Sequence, residues 1–111
     1  MGSDRRTFER VNIDLWVEEQ TDGATYFQHA TNLSSGGVYL DHTLPHPPGT
    51  RVVLDLHIPG GDAPLRVSGE VVEADRDLGM GVRFLGLSDE ARERIERHIQ
   101  SARDSQRPPP A

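Results

Sequence analysis

Arg5, Arg6 and Arg10 fall within six residues of one another, in a chain of 111 residues whose formal net charge is −6. Guanidinium groups gathered this closely call for an anion or an acidic partner between them, unless they form an exposed arm balanced by Asp4 and Glu9. A second group follows about twenty residues later in the stretch TNLSSGGVYL, residues 31–40. There Asn32 and Ser34 offer an amide and a hydroxyl, while Gly36 and Gly37 let the backbone approach a ligand closely or take positive φ. The same residue types also serve an ordinary tight turn.

The elements that must hold these groups are strands. Val11, Ile13, Leu15 and Val17 alternate with Asn12, Asp14 and Trp16, the period of a half-buried strand over 11–17. Asp22-Gly23 signals a tight reversal, so residues 24–33 return antiparallel. Residues 34–37 break the chain, 38–40 resume as a short strand, and Pro45, Pro47, Pro48 and Gly49 make a loop. The run RVVLDLHI at 51–58, then 65–74 and 80–85, bring the predicted count to six strands. Ser88 is a good N-cap, and Leu87, Ala91, Ile95, Ile99 and Ala102 recur at helical spacing. The predicted class is all-β with one C-terminal helix, the strands forming a closed antiparallel barrel. Its organisation is a flexible N-terminal arm (1–10), a barrel with its helix (11–102) and a disordered Pro-rich tail (103–111).

Composition excludes several functions. The chain has no cysteine, so neither a disulfide framework nor a thiolate metal site can form. No apolar run approaches the length of a membrane span, which points to a cytoplasmic protein without membrane insertion. A pI near 5.2 and 5% aromatic residues disfavour nucleic-acid polymers, whose recognition by small barrels uses a basic groove and stacking platforms. His29, His42, His46, His57 and His98 are scattered, and only His42 and His46, beside Asp41, lie close enough to raise a metal reading that the flanking prolines oppose. No serine has a matched base and orienting acid, and no clustered carboxylates or histidines would hold a metal for hydrolysis, so the chain is read as no enzyme. Trp16 faces away from the aliphatic set and is expected to cover one barrel end or lie beneath the helix.

Arg6-x-x-x-Arg10 ahead of the first strand, with Asn32-x-Ser34-x-x-Gly37 between the second and third, resembles the PilZ domain family, bacterial receptors for the second messenger cyclic di-GMP. The resemblance extends from Arg5 to about Ile99 and includes the strand Leu-Gly-Met-Gly-Val-Arg-Phe at 78–84 and the closing helix. It implies a six-stranded PilZ-like β-barrel that uses no cofactor. Arg6 and Arg10 would grip the phosphates and guanine faces of cyclic di-GMP, Asn32 and Ser34 would hydrogen-bond a guanine edge, and Gly36 and Gly37 would form the turn. Arg5, a third guanidinium just ahead of Arg6, would stack on or hydrogen-bond to a second ligand molecule. The chemistry is sound in itself, because guanidinium matches phosphate bidentately, stacks on purines and pairs with guanine O6 and N7. One departure stands out: Asn32 occupies a position where many family members have Asp, and a neutral amide cannot accept two guanine N–H bonds as a carboxylate can.

On this reading the chain is a receptor that relays cyclic di-GMP to an unidentified partner protein, carrying no output domain of its own. The arm, with Phe8 as its single large apolar side chain, is expected to be mobile until ligand folds it over the barrel rim near Asn32 and Ser34. The alternative is a protein-interaction module of the same fold that does not bind nucleotide.

Overall fold

The computed structural model describes residues 10–59, 63–75 and 78–106, the last without its side chain. Six strands, β1 (Val11–Thr21), β2 (Ala24–Ser34), β3 (Gly37–Asp41), β4 (Arg51–Leu56), β5 (Leu65–Asp75) and β6 (Gly79–Leu85), precede one helix, α1 (Asp89–Gln106). They close in the order β1-β2-β3-β6-β5-β4, every pair antiparallel, so no edge is left open. The predicted all-β class with one C-terminal helix is therefore the observed one.

Local signals explain the turns. Asp22 and Gly23 both take positive φ, 52° and 80°, the mirror-image turn whose twist suits a two-residue hairpin. Ser88 Oγ accepts the Ala91 amide at 3.1 Å and starts α1. The helix continues four residues past Ala102, to Gln106. Apolar spacing could not have located that last turn, because polar bonds support it: Gln100 Nε2 donates to Asp104 at 3.0 Å and Arg103 to Gln100 at 3.2 Å.

Inward residues of all six strands fill the barrel. Leu15, Leu33, Leu40, Leu54 and Leu56 are essentially inaccessible, and burying each contributes about 2 kcal/mol. Ile95 and Ile99 of α1 join the same cluster, which fixes the helix on the barrel. The alternation expected for β1 is interrupted by an irregularity between Asn12 and Leu15, leaving Ile13 only partly buried.

β1 is also longer than its aliphatic run, since its last residues are polar yet half of them point inward. Glu19 is 0% exposed. Its carboxylate accepts bonds from Thr21 Oγ1 at 2.5 Å and Gln28 Nε2 at 2.8 Å, and meets His46 Nε2 at 2.5 Å. His46 lies on the loop between β3 and β4, so this buried polar cluster pins the loop to the barrel interior. Gly49 donates to Val71 at 2.7 Å and Val71 to Thr50 at 2.9 Å, anchoring the other side of the loop.

Trp16 corrects an expectation. It neither covers a barrel end nor lies beneath α1; it is 62% exposed on the outer face, its ring 5.2 Å from that of His29. The reason is register: Trp16 is opposite His29 across β1 and β2, on the solvent side of a sheet whose inner face is already full. No described helix is long and apolar enough to cross a membrane.

Candidate functional site

The end of β2, the two-residue turn and the start of β3 form one rim of the barrel. Ser34 is buried, and its Oγ accepts the amides of Gly36 and Gly37, both at 3.1 Å, while it lies 3.4 Å from the Gly37 carbonyl oxygen. The side chain thus holds the turn in shape, a serine's usual work at such a position. Gly36 offers its carbonyl to the Phe84 amide at 2.9 Å, which ties the turn to β6.

Neither glycine takes positive φ. Close approach explains Gly37 instead: it pairs with Arg83, and a Cβ there would run into the carbonyl oxygen of Val82. Positive φ is thus not the reason for glycine here; Gly37 is required by close packing against β6, which the local pattern does not reveal.

Arg10 enters this rim from before β1. Its Nη1 donates to Asn32 Oδ1 at 3.1 Å, joining groups 22 positions apart. Pairing makes the meeting inevitable, because Asn12 is opposite Asn32 and Val11 opposite Leu33, so the chain preceding β1 emerges beside the β2–β3 turn. Arg10 thus donates to a neutral amide.

A cleft of about 270 Å³ opens at this place, lined in part by Arg10, Ser34, Gly36, Gly37, Glu73 and Arg83. The sequence pattern places Arg83 in a strand and does not single it out as a site residue. Alternation along 78–84 could have found it, since it faces outward beside Gly37. It is ion-paired with Glu70 at 2.7 Å, whereas the described partner of Arg10 is the Asn32 amide. Asn32 pairs across β3 with Tyr39, whose hydroxyl donates to Asp75 at 2.9 Å; burial, and then that carboxylate, push the phenol up to about 12. Tyr39 stays a neutral donor at any physiological pH.

Of the expected site residues, the structure therefore brings Arg10, Asn32, Ser34, Gly36 and Gly37 to one rim. Arg5 and Arg6, and the expected arm movement, lie outside the described residues. His42 and His46 diverge, His42 meeting Asp41 at 2.7 Å and His46 reaching Glu19. Among the described residues no three His, Asp or Glu side chains are grouped as a metal requires.

A closed six-stranded antiparallel barrel with a helix packed on it and an arginine-bearing cleft at the β2–β3 rim defines a small-barrel domain of one particular kind. The family model of the PilZ domain matches residues 4–101, and the chain belongs to the PilZ domain family. No curated protein sequence matches it. Among solved structures, the PilZ domain with c-di-GMP of YcgR from Escherichia coli is similar at TM-score 0.72 and 16% identity, covering 91% of this chain and 93% of that one. The Bacillus subtilis inhibitor of motility gives 0.71 and 16%, covering 93% of this chain and 53% of that one. The MrkH–c-di-GMP complex of K. pneumonia gives 0.66 and 17%, covering 92% of this chain and 56% of that one. The chain thus spans about half the length of the last two. At such identities the likeness is one of fold.

Proposed function

We propose that this chain is a cytoplasmic bacterial receptor for cyclic di-GMP, binding it at the β2–β3 rim and relaying the signal to a partner protein without catalysing a reaction. The observation that carries the reading is the bond from Arg10 to Asn32. Two sequence motifs, each ordinary alone, meet at one cleft that Arg10 lines. Arg10 and, from the arm, Arg6 pair with the phosphates and stack on the guanines. Asn32 presents its amide to a guanine edge, Ser34 and Gly36 set the turn, and Gly37 keeps β3 against β6 so that the cleft retains its wall. Arg5 stacks on a second messenger molecule. Membership of the PilZ family and the messenger named with YcgR and MrkH support the choice of ligand.

Ligand binding folds the arm across the rim, and arm, ligand and barrel together make the surface a partner reads. Isothermal titration of the chain with cyclic di-GMP, with cyclic di-AMP as control, tests the assignment. Saturable heat with the first alone is the expected result, and no heat with either overturns it.

A further inference from the structure

The cleft at the β2–β3 rim has a second wall, on β5 and β6, to which neither arginine nor Asn-x-Ser motif contributes. β5 is irregular between Val71 and Glu73. A bulge puts consecutive side chains on one face, and here Val72 and Glu73 are both exposed where strict alternation would turn one of them inward. Both line the cleft.

Register sets Glu73 across the cleft from the motif residues. Asn32 pairs with Tyr39, Tyr39 with Gly81 and Gly81 with Glu73, so these positions form one row across β2, β3, β6 and β5. At the usual strand spacing the backbones of Asn32 and Glu73 are about 14 Å apart. Gly81 keeps the floor between them bare. It does not take positive φ, and a Cβ there would meet nothing nearer than Glu73 Oε1 at 3.4 Å, so neither strain nor crowding accounts for the glycine. What the missing side chain leaves is open space beside the Glu73 carboxylate.

Glu73 is the one carboxylate among the described residues that line the cleft. Its neighbours on β5 are engaged, Glu70 with Arg83 at 2.7 Å and Asp75 with the Tyr39 hydroxyl at 2.9 Å, whereas among the described residues Glu73 holds neither a hydrogen bond nor an ion pair. The other side-chain acceptors of the rim are already in use: Asn32 Oδ1 receives Arg10, and Ser34 Oγ receives the Gly36 and Gly37 amides. A base entering the cleft with N–H groups to place therefore finds its free acceptor at Glu73. Guanine carries two such donors side by side, N1–H and N2–H, which match the two oxygens of a carboxylate, while adenine presents an acceptor at N1 and is repelled.

We propose that Glu73 reads the Watson–Crick edge of one guanine of cyclic di-GMP, accepting N1–H and N2–H on its two oxygens, and so selects guanine over adenine at the β5–β6 wall. The assignment rests on the reading of this cleft as the cyclic di-GMP site. Val72, 51% exposed, gives that base an apolar neighbour.

Glu73→Gln keeps the size of an exposed side chain and removes one acceptor, and matching melting curves establish that the variant is folded. Parent and variant would be titrated calorimetrically with cyclic di-GMP and with cyclic di-IMP, whose bases lack the N2 amino group. The parent is expected to prefer cyclic di-GMP. In Glu73→Gln the affinity for cyclic di-GMP should fall about tenfold, and the preference over cyclic di-IMP should shrink about threefold or more. Equal affinity for cyclic di-GMP in parent and variant overturns the proposal and leaves the cleft assignment standing. Tighter binding by the variant overturns it likewise, because the carboxylate would then act only by repelling phosphate. A fall in affinity with the preference unchanged does so too, since Glu73 would not be touching N2. Absence of cyclic di-GMP binding by the parent overturns both readings.

Discussion

The Arg10 guanidinium donates to the Asn32 side chain at 3.1 Å across 22 positions of sequence, and that contact joins the two halves of the proposed site. It is made by side chains at an exposed rim, so its removal should be felt in binding and hardly in folding. Arg10→Ala and Arg6→Ala are each expected to weaken cyclic di-GMP binding by about 2 kcal/mol or more, with the melting temperature nearly unchanged. Calorimetry beside a thermal melt checks both halves, and undiminished affinity in both variants would remove the two arginines from the site.

Asn32 accepts from Arg10 with a neutral oxygen. A carboxylate there would hold Arg10 by a charge-assisted bond and still accept guanine N–H groups. Asn32→Asp should therefore tighten binding by about tenfold, near 1.4 kcal/mol. Weaker binding by the Asp variant would take the guanine edge away from position 32.

Arg5 is assigned to a second ligand molecule. Titration to saturation should give two cyclic di-GMP per chain, falling to one in Arg5→Ala, because a stacked guanidinium is the natural cover for the outer purine. One ligand per chain in the unaltered protein would end that assignment.

Gly37 packs directly on β6, where a Cβ would meet the Val82 carbonyl. Gly37→Ala should lower stability by about 2 kcal/mol in urea unfolding, since two hydrogen-bonded backbones must part to admit a methyl group. It should also weaken ligand binding by distorting the cleft. A variant as stable as the parent would show that the turn relaxes freely.

His29 bridges Asp14 and Asp41, one ring nitrogen to each. Only a protonated ring can donate to both carboxylates. The bond to Asp14 raises the His29 pKa most; burial opposes it, and Asp41 adds to the rise. Asp41 is itself held below its ordinary value, because burial, which pushes it up, is outweighed by its bonds to His29 and His42. A histidine raised on folding stabilises fully below its unfolded value of 6.5 and loses that contribution as pH climbs through the folded value. The melting-temperature gap between the parent and His29→Gln should thus be widest near pH 5.5 and shrink by about pH 8.5. A gap independent of pH would mean that the bridge adds nothing.

Much of this protein is written in local pattern. The β1 alternation, the Asp22-Gly23 reversal, the proline loop and the Ser88 cap are short-range features whose physics acts within a few residues, so strands, turns and helix could be placed from the chain alone. The spacing of Arg6, Arg10, Asn32, Ser34 and Gly37 points to the proposed site for the same reason, each group lying at the edge of a legible element, and Arg10, Asn32, Ser34 and Gly37 do meet at one rim. What the sequence withheld depends on pairing between distant strands. Glu19 looks like an ordinary solvated residue until β1, β2 and the loop carrying His46 close around it. Gly37 reads as a turn residue until β6 comes against it, and Arg83 joins the cleft only because it pairs with Gly37. Trp16 reads as a packing residue until barrel closure decides that its face looks outward. Local free energies select the elements, but which face is buried, and which side chains meet, is decided by register and closure, to which every strand contributes at once.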